Sequence, residues 1–140
     1  MANSVYPLWK NALMTEVATN KSLDQTGVNG CYLALVTIGS GGYVYSDSHQ
    51  FFSTVTNVQG TPTQLTTPVL TANVFKTDGI VFTAVSGTVI GAFVIYRSNS
   101  GPNTTWRLVL YEDTGVVGFP MTPNGGNLIV TWATQGIFAL

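Results

Sequence analysis

The one histidine of the chain, His49, has Asp47 and Ser48 beside it. These are the residue types of a hydrolytic triad, in which an imidazole takes the hydroxyl proton and a carboxylate orients the ring. That chemistry needs side chains converging in space, which chain neighbours do not do. Ser46-Asp47-Ser48-His49 therefore reads as a capped helical turn, with Phe51 and Phe52 pinning it to the core. Glu112 and Asp113 are adjacent acids at the end of a strand pattern. Successive strand side chains point to opposite faces, so this pair does not read as paired catalytic carboxylates. The remaining acids, Glu16, Asp24, Asp47 and Asp78, are spread out. One His and one Cys are too few ligands for a transition-metal site. No EF-hand spacing occurs either. Gly39-Ser40-Gly41-Gly42 follows a strand as a phosphate loop does, but it lacks the lysine and reads as a turn. Cys31 has no intrachain partner and reads as a small buried apolar residue. Trp106, Trp132, Tyr43, Tyr45, Tyr96 and Tyr111 are the residue types of a sugar-stacking platform, although core packing is their commoner use.

These residues must be positioned by the elements around them. Val5, Leu8, Trp9, Ala12, Leu13 and Val17 recur at steps of three and four. That stripe predicts an amphipathic helix over about residues 4–19, capped by Asn3 or Ser4, with Pro7 in its first turn. From Cys31 onward the pattern is β. Strands are expected over residues 31–38, 69–76, 80–84, 89–97, 105–112 and 128–133, with Tyr43-Val44-Tyr45 as a short strand. Residues 59–68, rich in Thr and Pro, read as a loop or irregular edge. The turn cluster at residues 98–103 predicts an antiparallel hairpin between 89–97 and 105–112. Both of those strands carry apolar residues on both faces, so both faces must be covered: one by another sheet, the other by the N-terminal helix or a neighbouring subunit. The expected architecture is a mainly β, antiparallel sandwich or barrel-like fold with one N-terminal amphipathic helix. It forms a single domain over 1–140, with its β part over about 31–140.

Composition narrows the function classes. Charged residues make up 8% of the 140-residue chain, against about 25% in an average soluble domain. The polar surface must come from the 20 Thr, 10 Asn and 9 Ser. Lys10, Lys21, Lys76, Arg97 and Arg107 are scattered, with no basic stripe for nucleic acid and no patch for an anionic membrane surface. No apolar run approaches the ~20 residues of a membrane span. Residues 1–10 lack the basic start and apolar stretch of a secretory signal, which predicts synthesis in a cytoplasm. The net charge of −1 favours association over a free monomer.

Four groups of residues carry a resemblance. They are Met1-Ala2-Asn3 with Val5-Tyr6 before the helix; Leu33-Ala34-Leu35-Val36 with Tyr43-Val44-Tyr45-Ser46 and His49-Gln50-Phe51; residues 81–87 with 92–96; and residues 120–126, 130–132 and 136–140. In this order, over nearly the whole chain, they resemble a family of small structural virion proteins of tailed bacteriophages. The chain departs from that pattern after the Leu-Val strand, where Thr37, Ile38, Gly39 and Ser40 stand in place of acidic residues. The resemblance implies a virion protein with no catalytic residue and no cofactor.

Three functions are weighed. The first is a capsid decoration or cement protein, a homo-oligomer that docks on the major capsid protein lattice and stabilises the phage head. Its many small repeated interfaces would act together. Candidate interface residues are Trp9, Leu13, Ile137, Phe138 and Leu140. The second is a tail or adhesion component that binds a host glycan through exposed aromatics. The third, ranked last, is a small hydrolase built on His49, which requires that ring to meet a Ser and an acid.

Overall fold

A computed structural model describes residues 3–15, 22–133 and 135–139. In chain order the elements are β1 (Ser4–Val5), α1 (Pro7–Thr15), β2 (Cys31–Val36), β3 (Val58–Gln64), β4 (Val69–Thr71) and β5 (Val74–Lys76). They continue with β6 (Ile80–Phe82), β7 (Ala92–Arg97), β8 (Arg107–Glu112), β9 (Leu128–Val130) and β10 (Phe138–Ala139). They form three antiparallel sheets, ordered β1-β8-β7-β2-β3, β10-β5-β4 and β6-β9. The fold is mainly β with one helix near the N-terminus, as expected. The five-stranded sheet ends in separate edges, β1 and β3, so it is layered and does not close into a barrel.

The expected hairpin forms between β7 and β8, with Phe93 opposite Glu112 and Val94 opposite Tyr111. All six residues of β7 are buried, as are five of six in β2 and in β8. Both faces of this central sheet are therefore covered, and the chain's own segments do it. On the face that holds Phe93, the Trp132 ring stands edge-on to Phe93 at 5.6 Å. On the face of Tyr111, the segment after β2 lays down Tyr43 and Tyr45, with ring centroids 6.1 and 5.2 Å from Tyr111. Further along that face Phe52, Tyr96 and Trp106 stack, with centroids 4.0 Å and 5.6 Å from Tyr96. Each such aromatic pair adds about 0.5–1.5 kcal/mol beyond its burial.

The N-terminal segment differs from expectation. Ser4 and Val5 are a strand paired with Tyr111 and Leu110. The Tyr6 amide continues that ladder by donating to the Val109 carbonyl at 2.9 Å. The helix starts at Pro7, whose fixed φ suits a first helical position. It buries Trp9 and Ala12 while Lys10, Asn11 and Met14 face out. Asn3 does not cap it. Its Oδ1 accepts from the amides of Asp113 and Thr114 at 2.8 and 3.0 Å, tying the chain start to the turn after β8. The expected continuation of the helix through Val17 lies outside the described residues.

Three other segments also differ. Residues 59–68 were expected to be irregular, yet 58–64 form edge strand β3, where Pro62 is tolerated because an edge needs ladder bonds on one side only. The expected strand over 69–76 is two strands joined by Ala72 and Asn73, both at positive φ (51° and 66°). That is the backbone of a tight two-residue hairpin turn. Tyr43-Val44-Tyr45 makes a single bridge, Ile38 to Tyr43, and no strand.

Candidate functional site

β8 delivers Glu112 to the sheet face shared with Phe93. The chain then turns, held by Asn3, and runs through Gly115 and Gly118, both at positive φ (71° and 91°). This glycine-hinged loop presents Val116, Val117, Phe119 and Met121. Met121 is anchored back to Ile90 by two backbone hydrogen bonds of 2.8 and 2.9 Å. Opposite the loop lies residues 127–133, comprising β9 and its continuation to Trp132. Between these walls is an open groove of about 780 Å³, within the size range of ligand sites. Trp132 donates its indole N–H to the Asp78 carbonyl at 3.1 Å, which fixes the ring in the floor beside Phe93.

Glu112 is the one charged residue in the groove lining. Among the described residues, no hydrogen bond or ion pair reaches its carboxylate. Burial among apolar groups raises its pKa above the ordinary value of 4.5. The apolar surface continues past the groove mouth, with Val117 99% and Ile129 68% exposed. Val81 lies directly opposite Ile129 in the β6-β9 ladder and is also exposed. A second, smaller hollow of about 310 Å³ shares Trp132 with the groove and is lined also by Lys76, Thr77, Asp78 and Gly79.

The residues singled out from sequence fall in different places. Ile137 lines the groove. Trp9 is buried, and its ring stands edge-on at 6.1 Å to that of the half-buried Phe138. Leu13 is half-buried against the core, and Leu140 lies outside the described residues. Of the six platform aromatics, Tyr43, Tyr45, Tyr96 and Tyr111 are buried, which leaves Trp106 and Trp132 half-buried. The Trp106 N–H is engaged with the Gly101 carbonyl at 2.9 Å. Trp132 is therefore the aromatic placed at a groove.

Among the described residues, His49 hydrogen-bonds neither a serine hydroxyl nor a carboxylate. Its Nδ1 bonds the Tyr43 hydroxyl at 2.9 Å, and that hydroxyl bonds Tyr6 Oη at 2.7 Å. Burial lowers the His49 pKa below its ordinary 6.5. Tyr6 is wholly buried and its ionisation is strongly suppressed, first by desolvation and then by Tyr43. The cluster is closed by Tyr45, which donates to Asp47 at 2.7 Å, and by Tyr111, which donates to Asp113 at 2.9 Å. Glu112 and Asp113 diverge, one to the groove and the other to this cluster. Cys31 is buried, and desolvation pushes its thiol up to about 12, so it stays protonated at neutral pH. Gly39-Ser40-Gly41-Gly42 is a turn closed by the Gly42 amide on the Gly39 carbonyl at 2.9 Å. Among the described residues no group of three or more His, Cys, Asp or Glu side chains could hold a metal ion, and no helix is long and apolar enough to cross a membrane.

Sequence reasoning missed the groove. Apart from Phe93 its lining falls within residues 112–137, but no local pattern shows that this stretch folds back to wall a groove. The chain matches no protein-family model and no curated protein.

Proposed function

We propose that this chain is a structural virion protein, a decoration or cement protein that docks as a homo-oligomer on the major capsid protein lattice and performs no chemistry. One observation carries the reading. The groove and the ribbon beside it expose Val81, Val117 and Ile129 in a surface with few charges to solvate it. Exposed apolar surface of this kind marks sites of association. The resemblance to phage structural proteins agrees with it. The charge content of 8% leaves little repulsion between copies crowded on a lattice.

The test is binding of the purified protein to expanded capsids that lack it, followed by cryo-electron microscopy. The expected result is density on the outer lattice with the face of Val117 and Ile129 against the capsid protein. Val117→Asp and Ile129→Asp should fold normally and lose binding. Failure of the parent protein to bind, or density in the tail, refutes the decoration reading.

A second reading keeps one observation. Trp132 stands beside Lys76, Asp78 and Thr77, side chains suited to sugar hydroxyls. It predicts that host surface glycans quench Trp132 fluorescence and that Trp132→Ala abolishes the effect. A glycan array without hits removes it.

A further inference from the structure

Among the described residues, β9 has one hydrogen-bonded neighbour, β6. Beyond that ladder, residues 128–131 make no other backbone hydrogen bond among the described residues. The groove is lined both by Leu128 and Val130, which are buried, and by Ile129, which points out. Successive strand side chains point to opposite faces, so a channel touched by both sets runs along the strand's edge. The groove is thus a trough beside an unpaired strand.

Open strand edges are templates for another chain, and proteins commonly guard them with charges, proline or bulges. Edge strand β3 is guarded in this way by Pro62 and by a register break. Residues 128–131, Leu-Ile-Val-Thr, carry no such guard.

The walls select the occupant. Unpaired backbone groups along β9 are satisfied in full only by another extended backbone. Val116, Phe119, Met121 and Trp132 call for apolar side chains. The unpartnered carboxylate of Glu112 calls for a cation. The apolar surface extends beyond the mouth to Val117, more than a small molecule in the trough would cover. We infer that β9 accepts an added β-strand from another polypeptide, an extended and alternately apolar segment with one lysine or arginine set against Glu112. This inference rests on the docking reading and names what the partner must supply.

The probe is a capped hexapeptide alternating valine and threonine with one central lysine, titrated into the full-length ¹⁵N-labelled chain. Saturable amide shifts centred on residues 127–132 are expected. A glutamate-for-lysine peptide should bind on the order of tenfold more weakly, and a peptide N-methylated at alternate residues should not bind. Glu112→Gln should bring the lysine and glutamate peptides to within about twofold of each other. Shifts that fail to saturate at millimolar peptide, or that lie away from β9, overturn the inference. Equal binding of the N-methylated peptide does so too, because the trough then takes side chains or small apolar molecules without strand pairing. A lysine preference that survives Glu112→Gln overturns the role given to Glu112. Capsid binding is measured separately: peptide capture without capsid binding removes the virion reading and leaves the strand-addition site standing.

Discussion

The tyrosine chain Tyr6–Tyr43–His49 offers a perturbation with a worked sign. Tyr43 Oη lies 2.7 Å from Tyr6 Oη and 2.9 Å from His49 Nδ1, so it is the middle of the relay. Tyr6 has no exposed surface, so its hydroxyl has no access to bulk water, whereas His49 is half-buried. Tyr6→Phe removes one end. Tyr43 keeps His49, and the cost is that of one hydrogen bond, about 1 kcal/mol. Tyr43→Phe removes the middle and strands the Tyr6 hydroxyl in the core. An unsatisfied buried polar group costs about 1–3 kcal/mol, so this variant should lose roughly 2–3 kcal/mol in all. The double variant strands nothing in the core. It should be more stable than Tyr43→Phe alone and lie near Tyr6→Phe, a coupling of about 2–3 kcal/mol. Urea unfolding followed by circular dichroism, at pH 8 where His49 is neutral, measures all four states of the cycle. The reasoning is refuted if Tyr43→Phe costs no more than Tyr6→Phe, or if the double variant loses the sum of the two singles.

Three further outcomes are expected. Because burial raises the pKa of Glu112 in the fold, the folded chain binds more protons than the unfolded chain just above pH 4.5, and the group costs stability as pH rises through that window. Glu112→Gln should therefore be more stable than the parent at pH 7, with the gap closing toward pH 4, as read from urea midpoints across pH. Ala72 sits at φ 51° in the hairpin turn, a conformation that disfavours a Cβ. Ala72→Gly should stabilise the fold by about 1 kcal/mol, measured as a rise in thermal midpoint. Cys31 is buried and protonated, so a thiol-reactive dye should label it only at the rate of unfolding, and rapid labelling under native conditions would show that its cover opens.

Much of the central sheet was legible because its cues are local. The continuous apolar runs through 31–36, 92–97 and 107–112 demanded strands covered on both faces, and the turn cluster at 98–103 joined two of them into a hairpin. The glycine-rich turn at 39–42 was equally readable. The first residues were less so. The stripe Val5, Leu8, Trp9, Ala12 fits a helix from residue 4, but pairing Ser4 and Val5 with Tyr111 and Leu110 satisfies their backbone against β8, over a hundred residues away. No local pattern records that partner. The split of 69–76 was hidden for another reason: Ala72 is no turn former, and its positive φ is imposed by the pairing of Thr71 with Val74.

Sequence by itself determined the class of the molecule: apolar runs with β-formers, punctuated by glycine and proline, bury their surface in antiparallel sheets, and only 8% of the residues carry charge. Tertiary structure alone decided where the surface becomes a site. Glu112, the loop at 115–121 and Trp132 belong to one stretch of chain, but the Phe93 ring they gather around comes from β7. They meet because β8 carries Glu112 to the face of Phe93, and because β9, paired only with β6, lays Trp132 across that same ring. A strand announces itself through its own side chains. Whether its second edge is left open depends on which distant segment does or does not arrive beside it.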